Sequence, residues 1–368
     1  MKKICLISSR NIYMKRICNF LSENNFEVHL ISRHRNGLSK EEFNKNIKFY
    51  QLSSNALLTK LKEIKKIIKK INPDIVHTHY LTKDAFIPIL KLNKRYKYFI
   101  TIWGSDINIF SMNFLNRIFQ NIGLIFCDKI QLLSSYFSKK LDENFNGINK
   151  NKINIFSWGI DYNFFHNIEI KKLKSLKIKL NISGSDFIVL SYRNHKKIYN
   201  HHTLIKAIPE VVKKYPNVKF VFTRGSFDKE YLKQSLGLVK KLQIENAFIF
   251  IDRWLSNEEL CALINLAHIN INIPFQDGLP ASLLEIMATK SIPIVSNLEN
   301  YSSFFKENEN GFFLNELENH NELAKLIIKS INNYDEFYTK FYKVNNNYIE
   351  KYQNWVTQSK KLLEFYNN

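Results

Sequence analysis

Asp277 and Glu285 stand eight positions apart in PFQDGLPASLLEIMATKSIPIVSN (274–297), with Gly278, Leu279 and Pro280 directly after the first acid. The apolar run HININIPF (268–275) reads as a strand entering this turn, ASLLEIMA (281–288) as a helix leaving it, and SIPIVSN (291–297) as the strand that completes a βαβ unit. Ligands of such sheets gather at the carboxyl ends of the strands. Pro280 suits the first helical turn, where its missing N–H costs nothing, and Gly278 lets the backbone come close to a ligand. The free amides of Ala281 and Ser282, at the positive end of the helix dipole, would hold a phosphate. Glu285, about a turn further in, would accept paired hydrogen bonds from a ribose diol, and Asp277, on the other side of the phosphate, would meet the hydroxyls of a second sugar. Two carboxylates flanking a phosphate site suit a nucleotide sugar. Acids near a helix start also occur simply as complements to its dipole, and spacing alone leaves the two readings equal.

The elements that must position these residues repeat along the whole chain. KICLIS (3–8), FEVHLIS (26–32), IKFYQL (47–52), DIVHTHY (74–80), KYFITIWG (97–104), CDKIQLLS (127–134) and KINIFSWG (152–159) read as strands, with helical patterns between them. After a lysine-rich segment at 168–180 the alternation restarts with DFIVLSY (186–192), VKFVFTRG (218–225) and AFIFIDRW (247–254), and from Glu316 onward the chain reads as helical. Alternation of this kind predicts parallel sheets covered by helices on both faces. Two Rossmann-like doubly wound α/β domains are expected, over 1–165 and 166–340, with a helix at 341–368 packing back toward the first. The clearest helix is 57–71, where Leu57, Leu61, Ile64, Ile68 and Ile71 form a stripe and six lysines fill other positions.

The chain has 368 residues, 45% of them hydrophobic, enough for two cores. No run reaches the roughly eighteen apolar residues of a membrane span, and MKKICLISSR is expected to be a first strand rather than a signal peptide, which predicts a cytoplasmic protein. Cys5, Cys18, Cys127 and Cys261 are scattered without a CxxC spacing, so neither a disulfide framework nor a zinc site is expected. The excess of 54 basic over 33 acidic residues, a net +21, predicts attraction to something anionic. The lysines of 57–71 could rest on an anionic membrane, a peripheral site on the inner face of the cytoplasmic membrane, or simply form a solvated face over a core helix. Nucleic acid is not an expected partner, since no recognition motif of basic and aromatic residues is present. The absence of GxGxxG after an early strand disfavours a dinucleotide oxidoreductase.

DGLPASLLEIMA with SIPIVSN, followed by Asn310-Gly311-Phe312-Phe313, resembles the acid-x7-Glu signature and its follow-on in the family-4 retaining glycosyltransferases (glycosyl transferases group 1), whose GT-B fold has two facing Rossmann-like domains with a cleft between them. The resemblance implies that Glu285 binds the nucleotide ribose and that Asp277, where the family most often has Glu, approaches the donor sugar. SYRNHKKIYNHHTLIKA (191–207) resembles the segment that supplies an Arg and a Lys to the donor diphosphate, which implies Arg193 and, with Lys196 as a neighbour in register, Lys197. Cations are needed there because the leaving diphosphate gains charge as the glycosidic bond breaks. TRGSF (223–227) is similar to the family's glycine loop with Gly225 retained, and FIDRWLSNEEL (250–260) to the stretch that cradles the base, where Trp254 would stack, although an aromatic at a strand end is more often core. NPDIVHTHY (72–80) and TIWGSDI (101–107) are also family-like, with Trp103 where many members carry a His; His77, His79, Trp103 and Asp106 are acceptor-side candidates, each on its own more often a satisfied structural residue.

The function implied is a metal-independent retaining glycosyltransferase of hexosyltransferase type. It would move a sugar from a UDP- or GDP-sugar to a glycan or lipid-linked acceptor, as in bacterial surface glycan, lipopolysaccharide or glycolipid synthesis. No cofactor is expected, and no DxD motif is present. A nucleotide-sugar 2-epimerase of similar fold and a non-catalytic nucleotide-sugar-binding protein remain open.

Overall fold

The computed structural model describes residues 1–33, 37–54, 56–82, 96–108 and 114–368. The chain divides into two units, Met1–Trp158 with Ser359–Asn368, and Gly159–Gln358. In the first, β1 (Lys2–Ser8), α1 (Ile12–Glu23), β2 (Phe26–Ser32), β3 (Lys48–Gln51), α2 (Leu57–Ile71), β4 (Ile75–His79), β5 (Lys97–Ile102), α3 (Ser105–Asn108), α4 (Phe114–Phe126), β6 (Lys129–Leu132), α5 (Tyr136–Asn144) and β7 (Ile153–Ile155) follow in order. The second contains α6 (Tyr162–His166), α7 (Ile170–Lys179), β8 (Phe187–Ser191), α8 (His201–Lys214), β9 (Val218–Thr223), α9 (Lys229–Lys241), β10 (Phe248–Ile251), α10 (Asn257–Leu266), β11 (Ile269–Asn272), α11 (Ala281–Met287), β12 (Ile292–Ser296), β13 (Phe312–Leu314), α12 (His320–Asn332) and α13 (Tyr334–Tyr348). The last helix, α14, is Trp355–Asn367.

The two sheets are ordered β3-β2-β1-β4-β5-β6-β7 and β10-β9-β8-β11-β12-β13, and all their pairings are parallel. Strand order therefore reverses between β1 and β4 and again between β8 and β11, the two places where a doubly wound sheet opens a crevice at its carboxyl edge. Neighbouring residues of β8 show the two-sided burial: Ile188 and Leu190 belong to one apolar cluster, with α10 and α11, and Val189 to another, with α8 and α12. This is why the strands read as continuous Ile, Val and Phe runs.

The twelve runs read as strands all become strands, and β13 is a thirteenth among the described residues. It was expected only as a motif, because three residues are too few for a period. The lysine-rich stretch at 168–180 is largely helical, as α7. The division between units falls at Trp158–Gly159, not at 165, and residues 341–358 stay with the second unit. Phe341 packs on Phe312 of β13, and the side chains of Asn310 and Asn345 bond each other at 2.8 Å. Residues 359–368 instead close the first unit's core, where Phe365 meets Phe99 and the Tyr366 hydroxyl reaches His77.

Gly311, of the Asn-Gly motif, is needed for packing. A Cβ there would lie 2.3 Å from the Pro293 carbonyl oxygen of β12 and 2.7 Å from Phe305. Gly311→Ala must push β13 off β12, and overpacking of this kind costs about 1–3 kcal/mol. A lowered urea midpoint with an unchanged m-value is the expected result, and an unshifted midpoint would show that the sheet edge yields freely.

Candidate functional site

The signature residues come together in the second unit at the reversal between β8 and β11. Arg193 follows the end of β8, Asn272 is the last residue of β11, and Asp277 lies in the turn that leads to α11. Arg193 Nη1 lies 2.8 Å from Asp277 Oδ2, 3.0 Å from Asn272 Oδ1 and 2.5 Å from Ser282 Oγ. The Tyr199 ring packs under the guanidinium, 4.3 Å from its carbon to the ring centroid. Burial works against the Arg193 charge, but Asp277 with Tyr199 and Tyr301 outweighs it and the net shift is upward, so this cation persists at any working pH. Asp277 is held from three sides: Oδ1 accepts the Gly278 N–H at 2.8 Å, and Oδ2 accepts from Arg193 and from the Tyr301 hydroxyl at 3.3 Å. Asn300 ties the turn itself, its Nδ2 donating to the carbonyls of Asp277 (3.2 Å) and Gly278.

Glu285 lies half-buried on α11, one turn beyond Ser282. The Tyr192 hydroxyl stands 3.0 Å from its Oε2 and 2.5 Å from the Ser282 carbonyl oxygen, one proton between two acceptors. Pro280 is the cap of α11 and not its first helical residue, with φ −77° and ψ 121°, and its carbonyl accepts from the Leu283 and Leu284 amides. Ala281 and Ser282 therefore supply the orphan first amides of that helix. Leu279 packs against the apolar cluster behind the turn.

The other donor-side candidates sit at the same carboxyl edge, on neighbouring strands. Gly225, after β9, has φ +52°, and a Cβ there would lie 2.5 Å from Asn194 Oδ1, which accepts the Ser226 N–H. The glycine is required by this contact within the protein. Lys196 and Lys197 are both exposed, so geometry does not choose between them. Trp254, the candidate for stacking on the base, is 70% exposed and not packed in the core, as an aromatic at a strand end more often is. Its loop is pinned below it by the Ser256–Glu259 capping box of α10 and by Arg253, which forks onto Glu259 at 2.7 and 2.9 Å.

The four acceptor-side candidates belong to the first unit and divide into two pairs. His77 is used within the core: Thr101 Oγ1 donates to Gln131, so it accepts from His77 Nε2 at 2.7 Å, while Nδ1 takes the Tyr366 hydroxyl at 2.5 Å. Asp106 is buried with its carboxylate capping a turn, accepting the backbone N–H groups of Leu81, Trp103 and Gly104. His79 and Trp103 differ. Their rings meet each other at 6.3 Å and both meet Trp158, and both His79 nitrogens and the Trp103 Nε1 lack a hydrogen-bond partner among the described residues.

Tyr192, Asn272, Asn300 and Tyr301 were not found by sequence reasoning. Asn272 did carry a signal: an amide in a strand buried on both faces must find a partner. Asn300 and Tyr301 lie too far along the chain for any spacing to connect them to Asp277.

Behind Arg193 lies a group of neutral histidines. His195 and His201 stack at 4.5 Å with planes 1° apart, and Ser235 Oγ, whose own proton goes to the Tyr231 carbonyl, accepts from His195 and His202 at 2.8 and 3.0 Å. Burial pushes His195 down to about 4 and His201 to about 3; it does the same to His268, whose Nδ1 accepts the Ile188 N–H, at about 4, and to His79 at about 3. Unfolded histidines titrate near 6.5, so as pH falls below that value protons bind the unfolded chain first. Stability is therefore complete above about pH 6.5 and falls as pH drops toward 4, by about 2 kcal/mol per histidine at pH 5. A urea midpoint equal at pH 7.5 and pH 5 would contradict this.

Comparison with known proteins agrees with this arrangement. Two family models match in succession, "Glycosyl transferase 4-like" over residues 3–136 and "Glycosyl transferases group 1" over residues 174–353. Spore coat protein SA of Bacillus subtilis is 22% identical over 272 residues, 71% of this chain and 69% of its own length. The chain spans 30–64% of the length of three other curated relatives. Among solved structures, sucrose-phosphate synthase from Thermosynechococcus elongatus aligns with TM-score 0.84 at 14% identity, over 100% of this chain and 98% of that one. Anabaena HepE aligns over 100% of both chains, in its complex with UDP (TM-score 0.82, 14% identity) and with UDP-glucose (0.80, 12%). The fold is GT-B.

Proposed function

Since the chain belongs to the group 1 glycosyltransferases, we propose that it moves a sugar from a UDP- or GDP-sugar to a hydroxyl of a glycan or lipid-linked acceptor, with retention at the anomeric carbon and without a metal. The observation that carries this reading is the meeting of Arg193, Asp277 and Ser282 at the strand-order reversal, with Glu285 one turn further along α11. Arg193 is the cation for the departing diphosphate, with Lys197 or Lys196 as an exposed second, and the first amides of α11 add to it. Glu285, steadied by Tyr192, takes the ribose diol, Asp277 takes hydroxyls of the donor sugar, and the exposed ring of Trp254 takes the base. The UDP and UDP-glucose complexes of HepE support the donor class.

In the reaction the bond from the anomeric carbon to the leaving phosphate oxygen breaks. The acceptor oxygen forms its bond on the same face, and its proton passes to the departing phosphate. The product would belong to a bacterial surface glycan or glycolipid. Incubation with a panel of UDP- and GDP-sugars, read by nucleoside diphosphate release and by NMR of the product's anomeric configuration, tests the proposal. The expected outcome is acceptor-dependent release with retention. An inverted product contradicts the mechanism, and an epimerised sugar formed without acceptor contradicts transfer itself.

A further inference from the structure

The helix α4 is amphipathic in the wrong sense for a helix that faces water. Its buried side is Gln120, Gly123 and Leu124, with Gln120 donating to the Leu81 and Asp106 carbonyls at 2.6 and 3.0 Å. Its outward arc carries Phe114, Leu115, Ile118, Ile122, Ile125 and Phe126 with no polar residue among them; Phe114 is 75% and Phe126 59% exposed. Scattered exposed apolar residues are ordinary, but a contiguous face of this kind marks an interaction surface.

The surroundings say what covers it. Two cations border the arc, Arg117 on α4 itself, its Nε donating to the Asn144 carbonyl at 2.6 Å, and Lys152, its Nζ donating to the Ile125 carbonyl at 2.8 Å. Helix α2 steps from β3 to β4 and α4 from β5 to β6, both in the same direction across the sheet, so right-handed crossovers put them on the same face. There α2 buries Ile64, Ile68 and Ile71 and exposes Lys62, Lys65, Lys66, Lys69 and Lys70. A second copy of the chain would bring the same cations against these, which like charges oppose. An anionic lipid surface answers both features, since apolar side chains enter the acyl boundary while lysines stay over the headgroups.

We propose that this face of the first unit docks on anionic membranes, with the outward arc of α4 inserted and the α2 lysines held at the headgroups. This goes beyond the transfer reaction and does not depend on it. Flotation of the full chain with vesicles of phosphatidylcholine alone, or with one part in three phosphatidylglycerol, tests it at low and high salt. The wild type is expected to bind the anionic vesicles and to be released by salt. Combined Phe114→Ser, Ile118→Ser and Phe126→Ser is expected to weaken that binding by on the order of tenfold or more, at an unchanged thermal midpoint. Lys62→Gln, Lys66→Gln and Lys69→Gln together should remove the preference for anionic lipid. Should the serine variant not fold, Phe126→Trp provides the readout: its emission should shift to the blue and be quenched by brominated lipid. Wild-type indifference to anionic vesicles, equal binding by the serine variant, unshifted emission from the Phe126→Trp variant, or a wild-type dimer that the serine variant dissolves would each overturn the proposal.

Discussion

Replacing Arg193 by alanine is expected to lower kcat by about 10²–10³-fold, the scale on which a preorganised group aimed at developing charge contributes. The guanidinium is held by the protein's own groups, by Asp277, Asn272 and Ser282 on one nitrogen and by the Tyr199 ring beneath it. A cation so placed need not reorganise as the diphosphate departs, so its loss should fall on turnover more than on donor KM. Arg193→Lys separates charge from shape. It keeps a point charge but loses the planar group stacked on Tyr199, and should recover part of the activity. Because the alanine variant leaves the Asp277 carboxylate, only 14% exposed, without its cation, some loss of stability accompanies it, and the thermal midpoint of each variant is the control. Turnover within a factor of two of wild type in Arg193→Ala would remove this residue from the chemistry.

Glu285→Ala is expected to act at a different step. A carboxylate that accepts two hydroxyl bonds from ribose contributes about 1.5–3 kcal/mol for each, so kcat/KM for the donor should fall by about 10²-fold or more, chiefly through KM. Glu285→Gln keeps one acceptor and should fall between. Tyr192→Phe removes the hydroxyl that stands 3.0 Å from the Glu285 carboxylate and should produce a smaller effect of the same kind. If Glu285→Ala lowered kcat and left donor KM alone, the ribose assignment would be wrong even with the enzyme class intact.

The frame of the molecule was legible because two-sided burial writes itself into a strand as an unbroken apolar run, as in FVF (220–222) of β9 or IVL (188–190) of β8. The helix α2 was legible for the opposite reason, its apolar residues falling on one side only. The three residues of β13 were not, since their strand character comes from pairing with β12 and from the space that Gly311 leaves open. Within the site, spacing brought out Asp277 and Glu285 because both lie on one continuous turn and helix. It could not reach Tyr301 or Asn300, which arrive from the far side of β12. His77 and Asp106 misled for a physical reason: a buried imidazole or carboxylate needs partners as much as a catalytic one does, and here the core supplies them. Trp254 departs from the general tendency of aromatics at strand ends toward burial: the loop after β10 holds the ring out in solvent, where a base-stacking residue would have to stand.

The claim on which the rest depends is that the edge of the second sheet, between β8 and β11, holds a nucleoside diphosphate. Calorimetric titration of UDP and GDP into the wild-type chain, Arg193→Ala and Glu285→Ala tests it most directly. Saturable binding of one nucleotide by the wild type, weakened by at least about tenfold in each variant, is the predicted result. Binding of equal strength in all three proteins would place the nucleotide elsewhere and contradict the account.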